Sequence, residues 1–358
     1  MVFETEKRPS TVFKNSMIVK NSKIGVLIIN LGTPDSPSVP DVRKYLREFL
    51  MDARVIDIPW WRRWLLIHLI IAPFRAPQSS KGYQELWTKE GSPLKVYGIQ
   101  TRELLQNALG DGYVVVLGMR YQNPSIHEAL EQFKNKGYSQ LIVIPLYPQY
   151  ASSSTGSTIE KVMEEIKGWE VVPTIKIISQ FFNHPLFIKA FVELGRKYMK
   201  EAKYEHYLFS YHGLPEHQIL KSSCKNYCKL GECCSVFHIK NQFCYRAQCF
   251  ETTRLLVKEL GIKEGDYTVC FQSRLGKTPW IKPYTDEIIK ELAAKNIKNV
   301  LTFSPAFVAD CLETTVEIGS EYKHVFQFLG GKRWQLVESL NISPTWIECL
   351  KQLVLEKS

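Results

Sequence analysis

The 358-residue sequence lacks the features that would assign it to a membrane-spanning, secreted or nucleotide-binding class. It contains no run of the roughly 18–20 apolar residues that a membrane-spanning helix needs. The first 22 residues are polar and mixed in charge, without the apolar centre of a secretory signal, so we expect a cytoplasmic protein. No GxGxxG or Walker motif follows a predicted strand, which argues against enzymes that bind dinucleotides or nucleotides.

Negative charge is in deficit, because 36 Asp and Glu residues stand against 46 Lys and Arg, a formal net charge of +10. This balance favours an anionic partner such as nucleic acid, a membrane surface or an acidic small molecule. No basic run is dense enough to indicate nucleic-acid binding, so we expect no nucleic-acid partner. The hydrophobic content of 45% is normal for a globular protein, and the length suits two domains.

Short apolar runs separated by helical patterns predict an α/β fold. Most of the runs are continuously apolar, as in parallel strands that helices cover on both faces. The alternation of strands and helices predicts parallel sheets. The predicted strands are 25–31, 113–119, 141–147, 175–179, 206–212, 267–272 and 299–305.

A faint internal repeat predicts two similar α/β lobes with a cleft between them. The stretch "IINLGTPD" ends the first predicted strand and "FSYHGLPE" ends the fifth, so Gly32 and Gly213 occupy matching places. Ligands of such sheets bind at the carboxyl ends of the strands, which puts both stretches at the cleft. The predicted division is a tail at 1–22, a first lobe at 23–178 with a lip at about 55–95, a second lobe at 179–330 with an insertion at 222–244, and a C-terminal helical segment at 331–358 that packs back on the first lobe.

The stretch "WWRRWLLIHLIIAPF", from Trp60 to Phe74, comes nearest to a membrane segment. Its apolar centre is too short to span a bilayer and contains His68. Three Trp, two Arg and a run of Leu and Ile suit a helix that lies in the plane of a membrane interface. A buried helix or the wall of a pocket fits the same pattern, and the two roles can coexist.

Titratable side chains gather at the predicted cleft. His212 ends a predicted strand before a Gly-x-Pro turn, where a histidine can bind a metal, accept a proton or simply hold its turn. Asp310, Glu313 and Glu317 are spaced i, i+3 and i+7, so on a helix they line one face. Such a row is either a solvated surface or a path for protons and for a hard or borderline divalent metal.

Aromatic and anion-binding residues are predicted near the same cleft. Arg120, Tyr121 and Trp280 follow strand ends, and aromatic rings with an arginine suit a flat, apolar, anionic ligand. The hydroxyl-rich stretch at 145–158 opens a helix whose free N–H groups favour an anion, although plain N-capping explains each serine on its own. Together the residues indicate a metal brought to a planar carboxylated ligand.

Ordered motifs along the chain resemble those of the ferrochelatases, enzymes that insert Fe(II) into a porphyrin to make haem. The resemblance runs from about Lys23 to the C-terminus, on "LGTPDSP", "RKYLREFL", "MRY", "PLYPQYASSSTGS", "SYHGLP", "QSRLGKTPW" and "DCLET". It implies two Rossmann-like lobes without a nucleotide and the terminal step of haem biosynthesis. A chelatase that loads cobalt or nickel into another tetrapyrrole, and a non-catalytic haem or iron sensor, are the alternatives.

The resemblance implies roles for the titratable residues. His212 and Glu313 are the implied catalytic pair, which divides proton acceptance and metal delivery. Asp310 and Glu317 are implied to join them as metal residues, extending the acidic path along a π-type helix. Cys311 stands where some members have a histidine, so a proton role of that histidine does not carry over to this chain.

The resemblance also implies contacts with the porphyrin and with a membrane. Arg120 and Tyr121 match a second candidate position for metal access. Leu31, Tyr121 and Trp280 are implied to bind the porphyrin, and Leu31 in place of a tyrosine is typical of members that use protoporphyrin IX. The part of the lip at 60–74 is implied to face the membrane, so we expect a protein that is peripheral on the inner, cytoplasmic face of the membrane. The resemblance also implies a monomer or a homodimer.

The segment "CKNYCKLGECC" and a further cysteine downstream form a cluster inside the insertion. Some ferrochelatases carry a [2Fe–2S] cluster, which four thiolates would hold. Structural zinc also takes four thiolates, although the spacing departs from C-x2-C, and free or redox-paired thiols are a third possibility. The site is accessory in each case, because four-thiolate coordination leaves no open position for metal transfer. The candidate ligands, four of which would bind, are Cys224, Cys228, Cys233, Cys234 and Cys244.

Overall fold

In the part of the chain that the structure describes, eight parallel strands form two sheets, one at the centre of each lobe. The computed structural model describes residues 23–224, 227–274, 276 and 278–358, so the predicted tail at 1–22 lies outside the described residues. The strands are β1 (Ile24–Gly32), β2 (Tyr113–Tyr121), β3 (Gln140–Pro145), β4 (Thr174–Ile177), β5 (His206–His212), β6 (Tyr267–Gln272), β7 (Asn299–Phe303) and β8 (Arg333–Leu336). The order is β2-β1-β3-β4 in the first sheet and β6-β5-β7-β8 in the second.

The predicted α/β class with parallel sheets is confirmed, and each predicted strand corresponds to an observed one. The strand β8 was not predicted. Its four residues are too few to give a period, and only Trp334 among them is fully buried. This strand lies within 331–358, a segment that was expected to be helical, and it pairs with β7 of the second sheet.

Helices cover both sheets and follow most strands. Stretches of π-helix run over Leu66–Ile71, Ser152–Gly156 and Leu312–Glu321. The α-helices are α1 (Val39–Leu50), α2 (Trp60–Leu65), α3 (Ala72–Leu86), α4 (Pro93–Leu109), α5 (Ile126–Glu131), α6 (Ser157–Ile166), α7 (Pro185–Glu201), α8 (Glu216–Lys221), α9 (Tyr245–Leu260), α10 (Thr285–Ala294), α11 (Tyr322–Phe328) and α12 (Pro344–Leu355).

Burial on both faces explains the apolar runs. The four residues from Val26 to Ile29 are completely buried in β1, which has β2 and β3 as its neighbours. The strand β5 holds the same place in the second sheet, between β6 and β7. The two lobes therefore share one strand order, which accounts for the internal repeat in the sequence.

The two glycines of that repeat are required by the neighbouring strand. A Cβ atom on Gly32 would lie 1.9 Å from the carbonyl oxygen of Tyr121, the last residue of β2, and the φ angle of this glycine is +110°. A Cβ atom on Gly213 would lie 2.7 Å from the carbonyl oxygen of Gln272, the last residue of β6. Both glycines thus let the chain turn tightly against the carboxyl end of the adjacent strand.

The C-terminal helix connects the two lobes. Helix α12 contacts α4, which belongs to the first lobe, and α7. Trp346 of α12 is 1% exposed and packs on the rings of Phe181 and Phe187. In the described part of the chain, no helix combines the length and the apolar character needed to cross a membrane.

Candidate active site

His212 is the last residue of β5 and is half-buried at the carboxyl end of the second sheet. Its Nδ1 atom lies 2.6 Å from the carbonyl oxygen of Gly213. A carbonyl oxygen can only accept, so Nδ1 carries the proton and Nε2 is the acceptor nitrogen of the neutral ring. The rings of Trp280 and Phe307 lie 6.4 and 6.5 Å from the imidazole, centroid to centroid. The histidine therefore presents a basic nitrogen in aromatic surroundings.

Glu313 occupies the first turn of the π-helical segment Leu312–Glu321, which begins after Cys311. The segment packs against α3 of the first lobe, so it brings Glu313 to the boundary between the lobes. Burial raises the pKa of Tyr83 in α3 well above its usual range, and the nearby Glu313 carboxylate raises it further. Burial likewise raises the pKa of the Cys311 thiol, again with Glu313 as a neighbouring charge. Glu313 thus lies among two protonated, buried groups.

Glu317 lies nearly one π-helical turn after Glu313. Burial raises the pKa of its carboxyl group and the Glu313 charge acts in the same direction, whereas a hydrogen bond from Ser273 and the proximity of His212 lower it. The charges of His212 and Glu313 therefore act on the Glu317 carboxyl group, which places all three residues in one neighbourhood. Within the described residues, no three His, Cys, Asp or Glu side chains are arranged to hold a metal ion.

Asp310 does not belong to the acidic row, and the prediction of a continuous helical face from Asp310 to Glu317 was wrong. The π-helical segment begins at Leu312, so Asp310 lies in the loop before it. Its carboxylate accepts hydrogen bonds from the backbone N–H of Ser339, at 3.0 Å, and from the side chain of Asn341, at 2.8 Å. Asp310 therefore ties the loop before the π-helical segment Leu312–Glu321 to the connection between β8 and α12.

Arg120 and Tyr121 end β2 and converge on a residue that sequence reasoning missed. Arg120 Nη2 lies 2.7 Å from Asp52 Oδ2, the Tyr121 hydroxyl donates to the same oxygen at 2.9 Å, and the Ser157 hydroxyl donates to it as well. Burial would raise the pKa of Asp52, but the hydrogen bonds from Ser157 and Arg54 and the charge of Arg120 lower it overall. In the sequence, Asp52 is marked only as an acidic residue that comes just after a helix.

The predicted porphyrin contacts differ in their exposure. Leu31 is half-buried near the end of β1, and Trp280 is mostly buried beside His212. Tyr121 is fully buried, and burial raises its pKa well above its usual range. Its ring packs edge-on against Phe49, and the Arg120 guanidinium lies over its face at 4.5 Å.

The lip carries a broad exposed apolar surface. Its helix α2 continues into the π-helical stretch Leu66–Ile71 and then into α3. One arginine, Arg63, turns inward and donates to the carbonyl oxygens of Ile56 and Ile58. The outward apolar side chains are Trp60, Trp61, Trp64, Leu65, Leu69, Ile70 and Phe74, the last of them 78% exposed.

The inserted cysteines surround one small cavity next to α9. The cavity has a volume of about 110 Å³, and four cysteines are among its lining residues, Cys224, Cys228, Cys233 and Cys244. The fifth, Cys234, is buried and is not among the residues that line it. A hydrogen bond from Cys234 lowers the pKa of the Cys244 thiol, whereas burial raises that of Cys228. None of the nine cysteines forms a disulfide.

Polar contacts hold the inserted loop around that cavity. The side-chain amide of Asn241 donates to the carbonyl oxygens of Cys233 and Val236, at 2.9 and 2.8 Å. Arg246 and Arg254 of α9 donate to the carbonyl oxygens of Gly231 and Cys234. The loop is thus fastened to the second lobe from its middle as well as from its ends.

Comparison with known proteins identifies the family and supports the fold. The family model described as Ferrochelatase matches residues 23–358. A ferrochelatase of Legionella pneumophila (strain Lens) is 47% identical over 333 residues, which are 93% of this chain and 99% of that protein. One of Coxiella burnetii (strain Dugway 5J108-111) is 46% identical over 337 residues, 94% of each. The solved structure of SirB from Bacillus subtilis with Fe3+ aligns with a TM-score of 0.50 over 93% of this chain and 95% of its own, at 12% identity, and so supports the fold alone.

Proposed function

Because the chain belongs to the ferrochelatase family, we propose that it inserts Fe(II) into protoporphyrin IX to form protohaem at the side chains around His212. The observation that carries this proposal is the acceptor nitrogen of His212 beside the carboxylates of Glu313 and Glu317. Insertion replaces two N–H protons of the porphyrin by one divalent cation. The reaction therefore needs a base for the protons and negative charge for the metal.

Proton acceptance is assigned to His212. The contact with Gly213 holds the imidazole with its proton on Nδ1, so Nε2 offers its lone pair. When a pyrrole N–H proton moves to Nε2, the electron pair of that bond stays on the pyrrole nitrogen and becomes available to Fe(II). The half-buried imidazole then passes this proton to solvent and accepts the second pyrrole proton in the same way. The imidazolium formed in this step lies near Glu317, whose negative charge offsets it.

Metal delivery is assigned to Glu313. Carboxylate oxygens are suitable ligands for Fe(II), which enters here as a substrate. The backbone carbonyl oxygen of Glu313 accepts from the Gln272 amide at 3.0 Å, and this contact fixes the first turn of the π-helical segment. Asp310 is assigned a structural role instead of a metal role, because its two carboxylate oxygens already bind Ser339 and Asn341.

Leu31 and Trp280 are proposed to contact the porphyrin, Leu31 with the vinyl-bearing side of protoporphyrin IX. Tyr121 is proposed to support the cleft from behind, because its ring is fully buried. Arg120 and Tyr121 are also unsuited to a second metal-access position in this conformation. Their polar atoms are committed to Asp52, and a tyrosinate would be costly where burial raises the pKa of Tyr121.

The lip is proposed to rest on a membrane surface, which would make the protein peripheral. Exposed apolar patches of this kind mark interaction sites in soluble proteins. Trp60, Trp61 and Phe74 are 65%, 55% and 78% exposed, and Arg62 lies over the Trp61 ring at 4.9 Å. Tryptophan with arginine suits the boundary between headgroups and acyl chains.

The inserted cysteines are proposed to hold a [2Fe–2S] cluster, with Cys224, Cys228, Cys233 and Cys244 as the ligands. Four thiols are the donor set that such a cluster requires. Among the described residues no three such side chains are already placed as metal ligands, so the loop would close around the cluster when it binds. The cavity of about 110 Å³ is well above the roughly 10–15 Å³ that a cavity needs to hold one water, so it has room for a polyatomic core. The lowered pKa of Cys244 favours the thiolate form that binds metal.

The proposed activity is tested with the purified protein, Fe(II) and protoporphyrin IX without oxygen. We expect the absorption spectrum of the porphyrin to convert to that of protohaem at a rate proportional to protein concentration. Cobalt, nickel and a porphyrin in which carboxylate side chains replace the two vinyl groups, four carboxylates in all, serve as competitors. No protohaem, or a preference for cobalt or nickel in another tetrapyrrole, would contradict the proposal.

A further inference from the structure

The carboxylate of Glu317 is held on both of its oxygen atoms. The Ser273 hydroxyl donates to Oε2 at 2.6 Å, and the Tyr322 hydroxyl donates to Oε1 at 3.0 Å. The Gln272 amide reaches Oε2 from 3.4 Å. Hydrogen bonds to an ionised carboxylate are stronger than those between neutral groups, so this carboxylate has a fixed orientation.

Ser273 reaches Glu317 because its backbone adopts an uncommon conformation. Its φ angle is +66°, in the left-handed region that residues other than glycine rarely occupy. The residue directly follows β6 and opens the loop that leads to Trp280, next to His212. Strained residues of this kind are often found at functional sites. The loop beside the proposed porphyrin contact is thereby joined to the catalytic segment.

A second set of polar side chains supports this arrangement from the sheet. The buried Gln272 amide donates to the carbonyl oxygen of Glu313 and accepts from the Ser210 hydroxyl at 2.7 Å. Ser210 in turn lies 3.0 Å from the Thr285 hydroxyl, and all three side chains are buried. The ends of β5 and β6 therefore fix the π-helical segment relative to His212.

We propose that Ser273 and Tyr322 are positioning residues for iron insertion. They hold the Glu317 carboxylate in a fixed orientation, and its negative charge balances the positive charge that His212 acquires with a pyrrole proton. This inference rests on the proposed function. The step breaks one pyrrole N–H bond, forms an N–H bond at His212 Nε2 and leaves the electron pair on the pyrrole nitrogen for Fe(II). Glu317 is assigned no transfer of iron or of a proton, because hydroxyl donors on both oxygens hold it in place as a counter-charge.

The test compares Ser273→Gly and Tyr322→Phe with the unchanged protein. Glycine suits the positive φ angle, so the first change removes the hydroxyl without adding strain, and the second keeps the ring. Each change removes a hydrogen bond to a charged group, and we expect the loss of such a bond to lower kcat about tenfold. The KM for Fe(II) should stay within about twofold, because the substrate metal does not bind Glu317 in this scheme. Tyr138→Phe, in the first lobe, is the control and should behave as the unchanged protein.

Rescue separates a positioning role from a structural one. Ser273→Asn keeps a donor and tolerates the left-handed region, so it should recover most of the kcat lost in Ser273→Gly. A rise in the KM for Fe(II) at constant kcat would mean that Glu317 carries iron, and the inference would be wrong. An unchanged kcat in both variants would also overturn it. If the unchanged protein forms no protohaem, the proposed function fails first, and this result is distinct from either of the others.

Discussion

At the scale of single residues, the proposed site is built from side chains whose polar atoms already have hydrogen-bond partners. His212 is oriented by Gly213, Glu317 by Ser273 and Tyr322, and Asp310 by Asn341. Such contacts fix an arrangement before the substrate arrives, and catalysis then needs less reorganisation. Glycines also fix the arrangement, because the absence of a side chain allows two stretches of backbone to approach closely.

Gly32 offers a prediction about stability. A Cβ atom here would meet the Tyr121 carbonyl oxygen at 1.9 Å, and the φ angle of +110° suits only glycine. We expect Gly32→Ala to lower the free energy of unfolding by more than about 2 kcal/mol. Gly112→Ala is the control, since no atom lies within 4 Å of its added Cβ. Denaturant unfolding measures both, and equal midpoints for the two variants would refute the close-approach argument.

Asp52 offers a prediction about pH dependence. Its pKa is lowered in the folded protein, so its contribution is fully present above the unfolded value of about 4 and is lost as the pH falls through the folded value. Asp52→Asn leaves the largely buried Arg120 without its partner and should cost about 3 kcal/mol at pH 7. The difference from the unchanged protein should shrink below about pH 4. A difference that is constant from pH 7 to pH 3 would contradict this role.

At the scale of elements, the sequence predicted those features that leave a periodic pattern or an ordered set of motifs in the chain. Continuous apolar runs predicted seven strands, because parallel strands are buried on both faces. The strand β8 was missed since one fully buried residue in four gives no pattern. Asp310 was misplaced because the spacing rule assumes a helix that in fact begins at Leu312. Asp52 was missed because its partners in β2 are distant in the sequence, and no local pattern marks such contacts.

The inserted loop offers a prediction about its ligands. Cys233 lines the cavity and its neighbour Cys234 does not, so the two provide a matched pair. We expect the Cys233→Ala protein, purified without oxygen, to lack the visible absorption of the cluster and to contain no cluster iron or sulfide. Cys234→Ala should retain two irons and two sulfides per chain, roughly the full content of a [2Fe–2S] cluster. Loss of iron in Cys234→Ala with retention in Cys233→Ala would reverse the assignment, and one zinc in the unchanged protein would exclude the cluster.

The lip offers a prediction about membranes. Trp61→Glu and Phe74→Glu replace exposed apolar side chains with charges that repel anionic lipid and resist burial. We expect each change to reduce co-sedimentation with vesicles of mixed neutral and anionic lipids at least about tenfold. Val171→Glu is the control, because Val171 is 69% exposed, between Trp61 and Phe74, but lies outside the lip. If all three variants sediment as the unchanged protein does, the lip is not the binding surface.

At the scale of the whole molecule, two lobes of one strand order bring unlike groups together. The first lobe supplies the lip and Tyr83 through α3, and the second supplies His212 and the π-helical segment. Helix α12 and the Asp310–Asn341 contact join parts that are distant in the chain. The internal repeat predicted the two lobes, but only the fold reveals which side chains of each meet.

The measurement that tests the central claim most directly is the rate of protohaem formation by His212→Ala. Loss of a general base typically costs about 10²–10⁴-fold in rate, and we expect a loss of kcat in this range. His127→Ala, an exposed histidine paired with Glu165, is the control and should keep the full rate. Far-UV circular dichroism and a thermal melt verify that both variants are folded. A folded His212→Ala protein that makes protohaem at the unchanged rate would contradict the account.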